Sequence, residues 1–324
     1  MIQKELITKP IEAELQTLRA LIQESLSSDN PLLGEALTHI RQRSGKMMRP
    51  ILTLLMAKSF GKVTEKTFHA AASLELLHTA SLVHDDVVDA SAERRGQPSV
   101  NALFNNQVSV LVGDYLLSTS LYHGAQTGDV RVIRLISKLG QRLAEGELLQ
   151  LSNISNNAIS EEVYFDIIRK KTGVLFETCA QVGVLSVNAS DEQTEWARTI
   201  GEIIGYAFQI KDDIFDYFDD PTIGKPTGND MREGKITLPA IYALNSTKNK
   251  EMNALAQRVK QGEATQDEIA QLVAFTKENG GIEYATNYMS QLVERAHQLL
   301  AQCTDEPVRM ALTTFIDYVV QRNK

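Results

Sequence analysis

Apolar residues recur at the spacing of an amphipathic α-helix along almost the whole chain, and no segment shows the alternation expected of paired β-strands. The 324 residues are 43% hydrophobic and 23% charged, and they include only 8 prolines. Because so few prolines interrupt the helical pattern, we expect a soluble, globular, all-α protein. No linker rich in Gly, Ser or Pro divides the sequence, so residues 1–324 are expected to form a single domain. Helices are predicted over residues 11–23, 51–58, 64–89, 99–106, 108–126, 129–151, 161–187 and 190–219, with more from 238 to 321.

Charge and cysteine content argue against several classes of function. The net charge of −8 comes without a long basic run, which argues against nucleic acid as a partner. Cys179 and Cys303 lack metal-binding spacing, and such use of cysteine is typical of a reducing compartment. The N-terminal residues lack the apolar core of a signal peptide, and Asn and Gln side chains interrupt the uncharged stretch 96–113. A cytoplasmic location is therefore expected.

Two aspartate-rich pentapeptides are the main candidates for chemistry. Asp85-Asp86-Val87-Val88-Asp89 and Asp212-Asp213-Ile214-Phe215-Asp216 share the pattern DDxxD, and both lie in apolar sequence. On a helix, positions i and i+4 are offset by about 40°, so the first and last aspartates of each motif share a face. One such motif alone is often a solvated helix face. Two of them, whose carboxylates repel unless a cation or proton is bound, predict that one anion is held from two sides through divalent metal ions.

Basic residues cluster near these motifs and near helix ends. Lys46 and Arg49 are three residues apart at a predicted helix start, where backbone N–H groups add to anion affinity. Arg and Lys are the usual side-chain ligands of phosphate groups. Each is more often a solvated surface charge when taken singly, but beside two metal sites the set predicts a phosphate pocket. The other members of the set are Arg94, Arg95, Lys171, Lys225 and Lys235.

The helical face before the first motif carries small and apolar residues. Steps of one turn back from Asp85 lead to Ser81, His78 and Leu74, and Ala80 borders the same stripe. Ordinary helix packing uses such residues, and so does the wall of a hydrophobic tunnel.

The order and spacing of these motifs resemble those of the trans-isoprenyl diphosphate synthases, or polyprenyl synthetases, over nearly the whole chain. Asp85–Asp89 with the following Arg-Arg-Gly is similar to the family's first aspartate-rich motif, and residues 205–216 are similar to its second. Residues 45–50, 171–172 and 234–239 are similar to the remaining signatures. The resemblance implies an all-α isoprenoid-synthase fold, a single large helical bundle around a central cavity, and a homodimer.

The resemblance also implies a role for each candidate residue. Three Mg²⁺ ions would be bound by Asp85, Asp89 and Asp212, with Asp86, Asp213 and Asp216 in support. The residues implied to contact the allylic diphosphate are Arg94, Lys171, Lys225 and Lys235. Those implied to hold isopentenyl diphosphate are Lys46, Arg49, His78 and Arg95. The residues implied to face the reacting carbons are Thr172 and Gln209.

The activity implied is head-to-tail prenyl transfer from an allylic diphosphate, expected to be farnesyl diphosphate, to isopentenyl diphosphate. Bulky residues four or five positions before the first aspartate stop growth early in this family, whereas Ala80 and Ser81 are small. We therefore expect a long all-trans product of the octaprenyl-to-decaprenyl class, as a quinone side chain needs. Such a product partitions into lipid, so peripheral membrane contact during release is also expected.

Two other functions use similar features. A class I terpene cyclase would share the fold and the ionisation step, but it would not need a second diphosphate site at Lys46 and Arg49. A non-catalytic helical partner subunit would have no reason to keep two sets of mutually repelling carboxylates. Incorporation of isopentenyl diphosphate distinguishes all three.

Overall fold

The computed structural model describes residues 2–42, 45–94, 96–154, 159–218 and 227–322. Two predicted site residues, Arg95 and Lys225, lie outside these ranges. The first helices are α1 (Ile2–Thr8), α2 (Glu12–Ser25), α3 (Pro31–Gln42), α4 (Met48–Lys58), α5 (Glu65–Val88), α6 (Val100–Phe104), α7 (Asn106–Gln126), α8 (Val130–Ile154) and α9 (Glu161–Ile168). The others are α10 (Val174–Leu185), α11 (Asp191–Phe215), α12 (Asn229–Arg232), α13 (Leu238–Thr247), α14 (Lys250–Lys260), α15 (Gln266–Glu278), α16 (Gly281–Leu300) and α17 (Glu306–Gln321).

Four short elements complete the described secondary structure. A 3₁₀ turn covers Lys9–Ile11, and a π-helical turn covers Arg169–Gly173 between α9 and α10. Strands β1 (Glu93–Arg94) and β2 (Gln97–Pro98) pair antiparallel. The all-α prediction is thus confirmed, with one small hairpin added.

The residues group into two compact units. Unit 1 comprises Met1–Gly140, Phe176–Thr199 and Cys303–Leu312, and unit 2 comprises Gln141–Leu175, Ile200–Gln302 and Thr313–Lys324. None of the described helices is both long enough and apolar enough to cross a membrane.

Unit 1 is built around α5, which packs against α4 and α7. The contact between α5 and α7 is close at Gly113, where a Cβ would lie 2.1 Å from Nε2 of His84. A capping box starts α11, since Ser190 N–H donates to Oε1 of Gln193 and Gln193 N–H donates to Oγ of Ser190. Cys179 is buried, and burial raises the pKa of its thiol to about 12.

The core of unit 2 lies among the helices from α12 to α16. Tyr217, Leu244, Met252 and Leu272 belong to one buried apolar cluster, in which α13 and α14 pack on α15. This cluster supports the segment after the second aspartate-rich motif, because Tyr217 follows that motif directly in sequence.

Several predicted boundaries are wrong. The single helix predicted over 161–187 is interrupted by the π-helical turn, and the helix predicted from 51 begins three residues earlier, at Met48. Helix α3 was not predicted, although Asn30 accepts hydrogen bonds from the backbone N–H groups of Leu33 and Gly34 in its first turn. The helix predicted over 190–219 is too long, since α11 ends at Phe215 and residues 216–218 no longer belong to it.

Candidate active site

The first aspartate-rich motif lies at the C-terminal end of α5 in unit 1. Asp85 is half-buried, Asp86 is only 2% exposed, and Asp89 is exposed just beyond the helix. The Arg94 guanidinium donates from Nε to Oδ1 of Asp86 at 2.6 Å. Asp86 therefore holds a predicted phosphate ligand in place, while Asp85 and Asp89 are the more accessible carboxylates.

The hairpin places Arg94 beside the first aspartate-rich motif. Arg94 pairs with Gln97, and Gly96 between them has φ +75°, a backbone conformation that favours glycine. Gly96 thus lies at the turn between β1 and β2, and the ion pair with Asp86 joins Arg94 to the end of α5.

A cavity of about 510 Å³ lies beside this motif within unit 1. His78, Asp86 and Arg94 line it, together with Gly45 and Met47, which flank Lys46. Cations from the N-terminal helices that the sequence analysis did not single out also line it, namely Lys4, Arg19 and Arg41. This cavity combines positive charge with the apolar side chains of α2, α3 and α5.

Lys46 and Arg49 lie at the start of α4, as predicted. Lys46 is exposed just before the helix, and Met47 follows it with a left-handed φ of 55°. Arg49 is half-buried, with its guanidinium 5.3 Å from the ring centre of Phe176. The two cations are thus neighbours at one helix N-terminus.

The proposed product-length residues lie on α5 but do not line the cavity just described. Ala80 is 2% exposed, and Ser81 is half-buried with its hydroxyl donating to the carbonyl of His78 at 2.9 Å. Both positions are small and face the interior of unit 1 at least in part.

The second aspartate-rich motif lies at the end of α11 in unit 2. The Arg322 guanidinium donates from Nη2 to Oδ1 of Asp212 at 2.6 Å and to the carbonyl of Phe208 at 3.0 Å. It also lies 3.8 Å from the ring centre of Phe208. Sequence reasoning missed Arg322, because it is 110 residues from Asp212 and carries no motif of its own.

The middle aspartate of this motif, Asp213, is buried, and each of its carboxylate oxygens accepts a hydrogen bond. Tyr164 donates its hydroxyl to Oδ2 at 2.5 Å, and Gln209 donates its amide N–H to Oδ1 at 2.8 Å. Thr172 in turn donates its hydroxyl to Oε1 of Gln209 at 2.8 Å. Burial raises the pKa of Asp213 well above its usual value, and the charge of Asp230 adds to this effect.

The last aspartate, Asp216, follows α11 and caps α12. Its two carboxylate oxygens accept the backbone N–H groups of Asn229 at 3.0 Å and Asp230 at 3.1 Å. The carboxylate therefore fixes the path of the chain after residue 227.

The π-helical turn presents Lys171 and Thr172. Two glycines allow its neighbours to approach closely, since a Cβ on Gly205 of α11 would lie 2.5 Å from Cα of Gly173, and one on Gly146 of α8 would meet the backbone of Lys170 and Lys171 at 3.0 Å. Turns of this kind are frequent at functional sites.

Five of the predicted residues of unit 2 line one cavity of about 140 Å³, whereas Asp212 and Asp216 are not among its lining residues. It is lined by Lys171, Thr172, Gln209, Asp213 and Lys235, all of which the sequence had singled out. The residues that sequence reasoning missed are Tyr164, Asp230 and Lys260. Lys171 forms an ion pair with Glu147 at 2.6 Å, and Lys235 forms one with Glu233.

The carboxylates of each motif fit a metal site in their donor chemistry. Within the described part of the chain, no group of three or more His, Cys, Asp or Glu side chains is arranged to hold a metal by itself. Mg²⁺ commonly takes one or two carboxylates and completes its octahedron with water and substrate phosphates. Asp85 and Asp89 of unit 1 suit that role, and so does Asp212 of unit 2, whose carboxylate pairs with the Arg322 guanidinium.

Comparison with known proteins assigns the family. The family profile described as Polyprenyl synthetase matches residues 30–276. The octaprenyl diphosphate synthase of Haemophilus influenzae is 32% identical, over 98% of this chain and 96% of its own length. The all-trans-nonaprenyl-diphosphate synthase (geranyl-diphosphate specific) of Rhodobacter capsulatus is 36% identical over 98% of both chains.

A solved structure gives the same result. The geranylgeranyl pyrophosphate synthase of Bacteroides thetaiotaomicron is 56% identical with a TM-score of 0.88, and the match covers 99% of this chain and 100% of that one. The chain belongs to the polyprenyl synthetase family. The expected isoprenoid-synthase fold and the expected prenyltransferase class are confirmed.

Proposed function

We propose that this chain is a long-chain all-trans polyprenyl diphosphate synthase, which extends farnesyl diphosphate with successive isopentenyl diphosphates for quinone side chains. The observation that carries the proposal is the cavity of unit 2, where Lys171, Thr172, Gln209 and Lys235 meet the second aspartate-rich motif. Cations and polar oxygens around one cavity are what an ionising allylic diphosphate requires.

Different side chains have different roles in prenyl transfer. Lys171 and Lys235 neutralise charge on the departing diphosphate, as preorganised cations do in phosphoryl sites. Thr172 and Gln209 face the allylic carbons, while Lys46, Arg49 and His78 hold isopentenyl diphosphate. Bound Mg²⁺ would act as a Lewis acid on the leaving group.

The product length has two candidates. Small residues at Ala80 and Ser81, together with relatives named for octaprenyl and nonaprenyl products, favour a long chain. The 56% identity to a geranylgeranyl pyrophosphate synthase favours a product of four isoprene units as the second candidate.

The deciding experiment is incubation with farnesyl diphosphate, labelled isopentenyl diphosphate and Mg²⁺, followed by chromatographic sizing of the product. We expect a ladder that ends in the octaprenyl-to-decaprenyl range and disappears when Mg²⁺ is chelated. A ladder that ends at geranylgeranyl diphosphate supports the second candidate, and a cyclic hydrocarbon formed without isopentenyl diphosphate contradicts prenyl chain growth. A parallel reaction with geranyl diphosphate tests the primer.

The two aspartate-rich motifs are tested separately. Asp85→Ala and Asp212→Ala are each expected to lower kcat by roughly a hundredfold or more, because each removes a charged ligand from the ionising site. Circular dichroism and Tm control for folding. Activity that survives in both variants contradicts a role for the two motifs in the ionisation step.

The remaining parts of the proposal concern assembly and location. We propose that residues 1–324 act as one domain, that two copies form a homodimer, and that the enzyme works in the cytoplasm with peripheral membrane contact during product release. The family profile, which matches residues from both units, supports the single-domain proposal.

A further inference from the structure

Tyr164 joins the predicted site through a contact that the sequence did not reveal. It lies in α9, is 6% exposed, and gives its only hydroxyl proton to Oδ2 of Asp213 at 2.5 Å. Gln209 donates to the other oxygen of the same carboxylate at 2.8 Å. Asp213 therefore accepts from two sides within the cavity wall.

The hydrogen bond from Gln209 to Asp213 sets the direction of a chain of hydrogen bonds. An amide has donors on nitrogen and acceptors on oxygen, so Gln209 must turn Oε1 away from Asp213 once its nitrogen donates there. That oxygen accepts the hydroxyl proton of Thr172 at 2.8 Å. A threonine hydroxyl has one proton and two lone pairs, so Thr172 keeps at least one lone pair for the cavity that it lines.

We propose that Tyr164 is a positioning residue, which holds Asp213 as a double acceptor so that Thr172 presents lone pairs, and not its proton, to the cavity. The inference rests on the proposed prenyl transfer, in which positive charge develops on the allylic carbon. An oxygen lone pair stabilises such charge, whereas an O–H proton in the same place opposes it. Tyr164 acts on the reaction only through Asp213, Gln209 and Thr172.

The first test is Tyr164→Phe, which removes the donor and keeps the ring. We expect kcat to fall roughly tenfold or more, the effect of losing a hydrogen bond to a buried carboxylate. The KM for isopentenyl diphosphate should stay within about twofold, because the residues proposed to bind that substrate are unchanged. The matched control is Tyr284→Phe, which removes another tyrosine hydroxyl that donates to a carboxylate, Glu161, at the start of the same helix. It should keep the kcat of the unsubstituted protein.

The second test separates positioning from a general structural role. If Tyr164 acts through the Thr172 hydroxyl, Tyr164→Phe should cost little further activity in a Thr172→Val background. If it only stabilises the fold, the two losses should multiply.

A near-isosteric variant keeps the inference testable if Tyr164→Phe does not fold. In Asp213→Asn, the amide oxygen of the new side chain still accepts the Tyr164 hydroxyl proton, so its N–H groups face Gln209. Gln209 must then turn its oxygen toward residue 213 and its nitrogen toward Thr172. Thr172 becomes an acceptor from Gln209, and its own proton points into the cavity. We expect Asp213→Asn to lose kcat in the unsubstituted background but not in the Thr172→Val background. The Mg²⁺ concentration that gives half of the maximal activity should stay unchanged.

The outcomes are distinct. Loss of kcat in Tyr164→Phe or Asp213→Asn that is absent in the Thr172→Val background supports the role of Tyr164. A kcat like that of the unsubstituted protein, or losses that multiply, overturns it. Absence of prenyl transfer in the unsubstituted protein contradicts the proposed function instead.

Discussion

At the scale of single residues, the three aspartates of the second motif have three different surroundings. Asp212 meets a guanidinium, Asp213 is buried between two donors, and Asp216 caps the next short helix. Identical side chains in one pentapeptide therefore differ in what they can still bind. We infer that Asp212 is the metal ligand of this motif, that Asp213 is part of the cavity wall, and that Asp216 holds the start of α12.

Lys260 carries the first prediction at this scale. Its side chain is buried, it lines the same cavity as Lys171 and Lys235, and burial lowers the pKa of its ammonium group. A cation held in a small cavity attracts a diphosphate more strongly than one in water does. Lys260→Met is therefore expected to raise the KM for the allylic diphosphate by roughly tenfold while kcat changes less.

Steady-state kinetics with varied allylic diphosphate measures this effect. Lys250→Met, at the exposed first residue of the same helix, is the control and should leave KM unchanged. An unchanged KM in Lys260→Met would show that this lysine is only a structural part of the cavity wall.

At the scale of elements, the π-helical turn and the glycines beside it bring the site together. Gly205 is one helical turn before Gln209, and its missing side chain lets α11 lie directly on Gly173. This close approach is what allows Gln209 to reach the hydroxyl of Thr172.

Gly205→Ala tests this packing. The added Cβ would lie 2.5 Å from Cα of Gly173 and 3.2 Å from its carbonyl oxygen, so a backbone must move. We expect the free energy of unfolding to fall by about 1–3 kcal/mol, the usual cost of overpacking, together with a loss of kcat. Urea denaturation and steady-state kinetics measure the two effects. Gly140→Ala in α8, whose Cβ would meet nothing within 4 Å, should be neutral or slightly stabilising. Equal stability in both variants would contradict the packing argument.

Sequence reasoning recovered most of the long helices and singled out five residues that line one cavity, because helical periodicity and charged motifs are local signals. It predicted one helix over 161–187, since the π-helical turn depends on glycines of α8 and α11 that are distant in sequence. For the same reason it missed Tyr164, whose only sign is a contact 49 residues away. Local patterns thus find the groups that carry charge, and tertiary contacts decide which groups position them.

At the scale of the whole molecule, the proposed homodimer needs an apolar surface, and α7 offers one. Five of its large apolar side chains are exposed within the described structure, namely Val110, Leu111, Leu117, Leu121 and Tyr122. Their spacing follows the helix and forms one broad stripe. Contiguous apolar surface of this kind commonly marks a protein interface.

Changing two residues of this stripe tests the assembly. The double variant Leu111→Glu with Leu121→Glu should shift the mass measured by light scattering from dimer toward monomer, because buried unpaired charge opposes association. Leu32→Glu, at an exposed leucine of α3, is the control and should remain a dimer. A dimer that persists in the double variant places the interface elsewhere.

The product length is also a property of the whole molecule, because the growing prenyl chain must fit inside the protein. Ala80→Tyr is expected to shorten the product sharply, since a ring at this position fills space next to the first aspartate-rich motif. Ala80 is 2% exposed, so the ring also costs about 1–3 kcal/mol of packing. Ser81→Phe, at a half-buried position, should shorten the product at a smaller cost in stability.

Chromatographic sizing of dephosphorylated products measures both variants, and Ser81→Ala is the control because its side chain stays small. We expect the control to keep the full ladder and the two aromatic variants to end it several isoprene units earlier. A ladder unchanged in both aromatic variants, with folding intact, would mean that the chain grows along another surface. The cavity of unit 1, which Thr79 and Leu82 line on the neighbouring face of α5, would then be the next position to block.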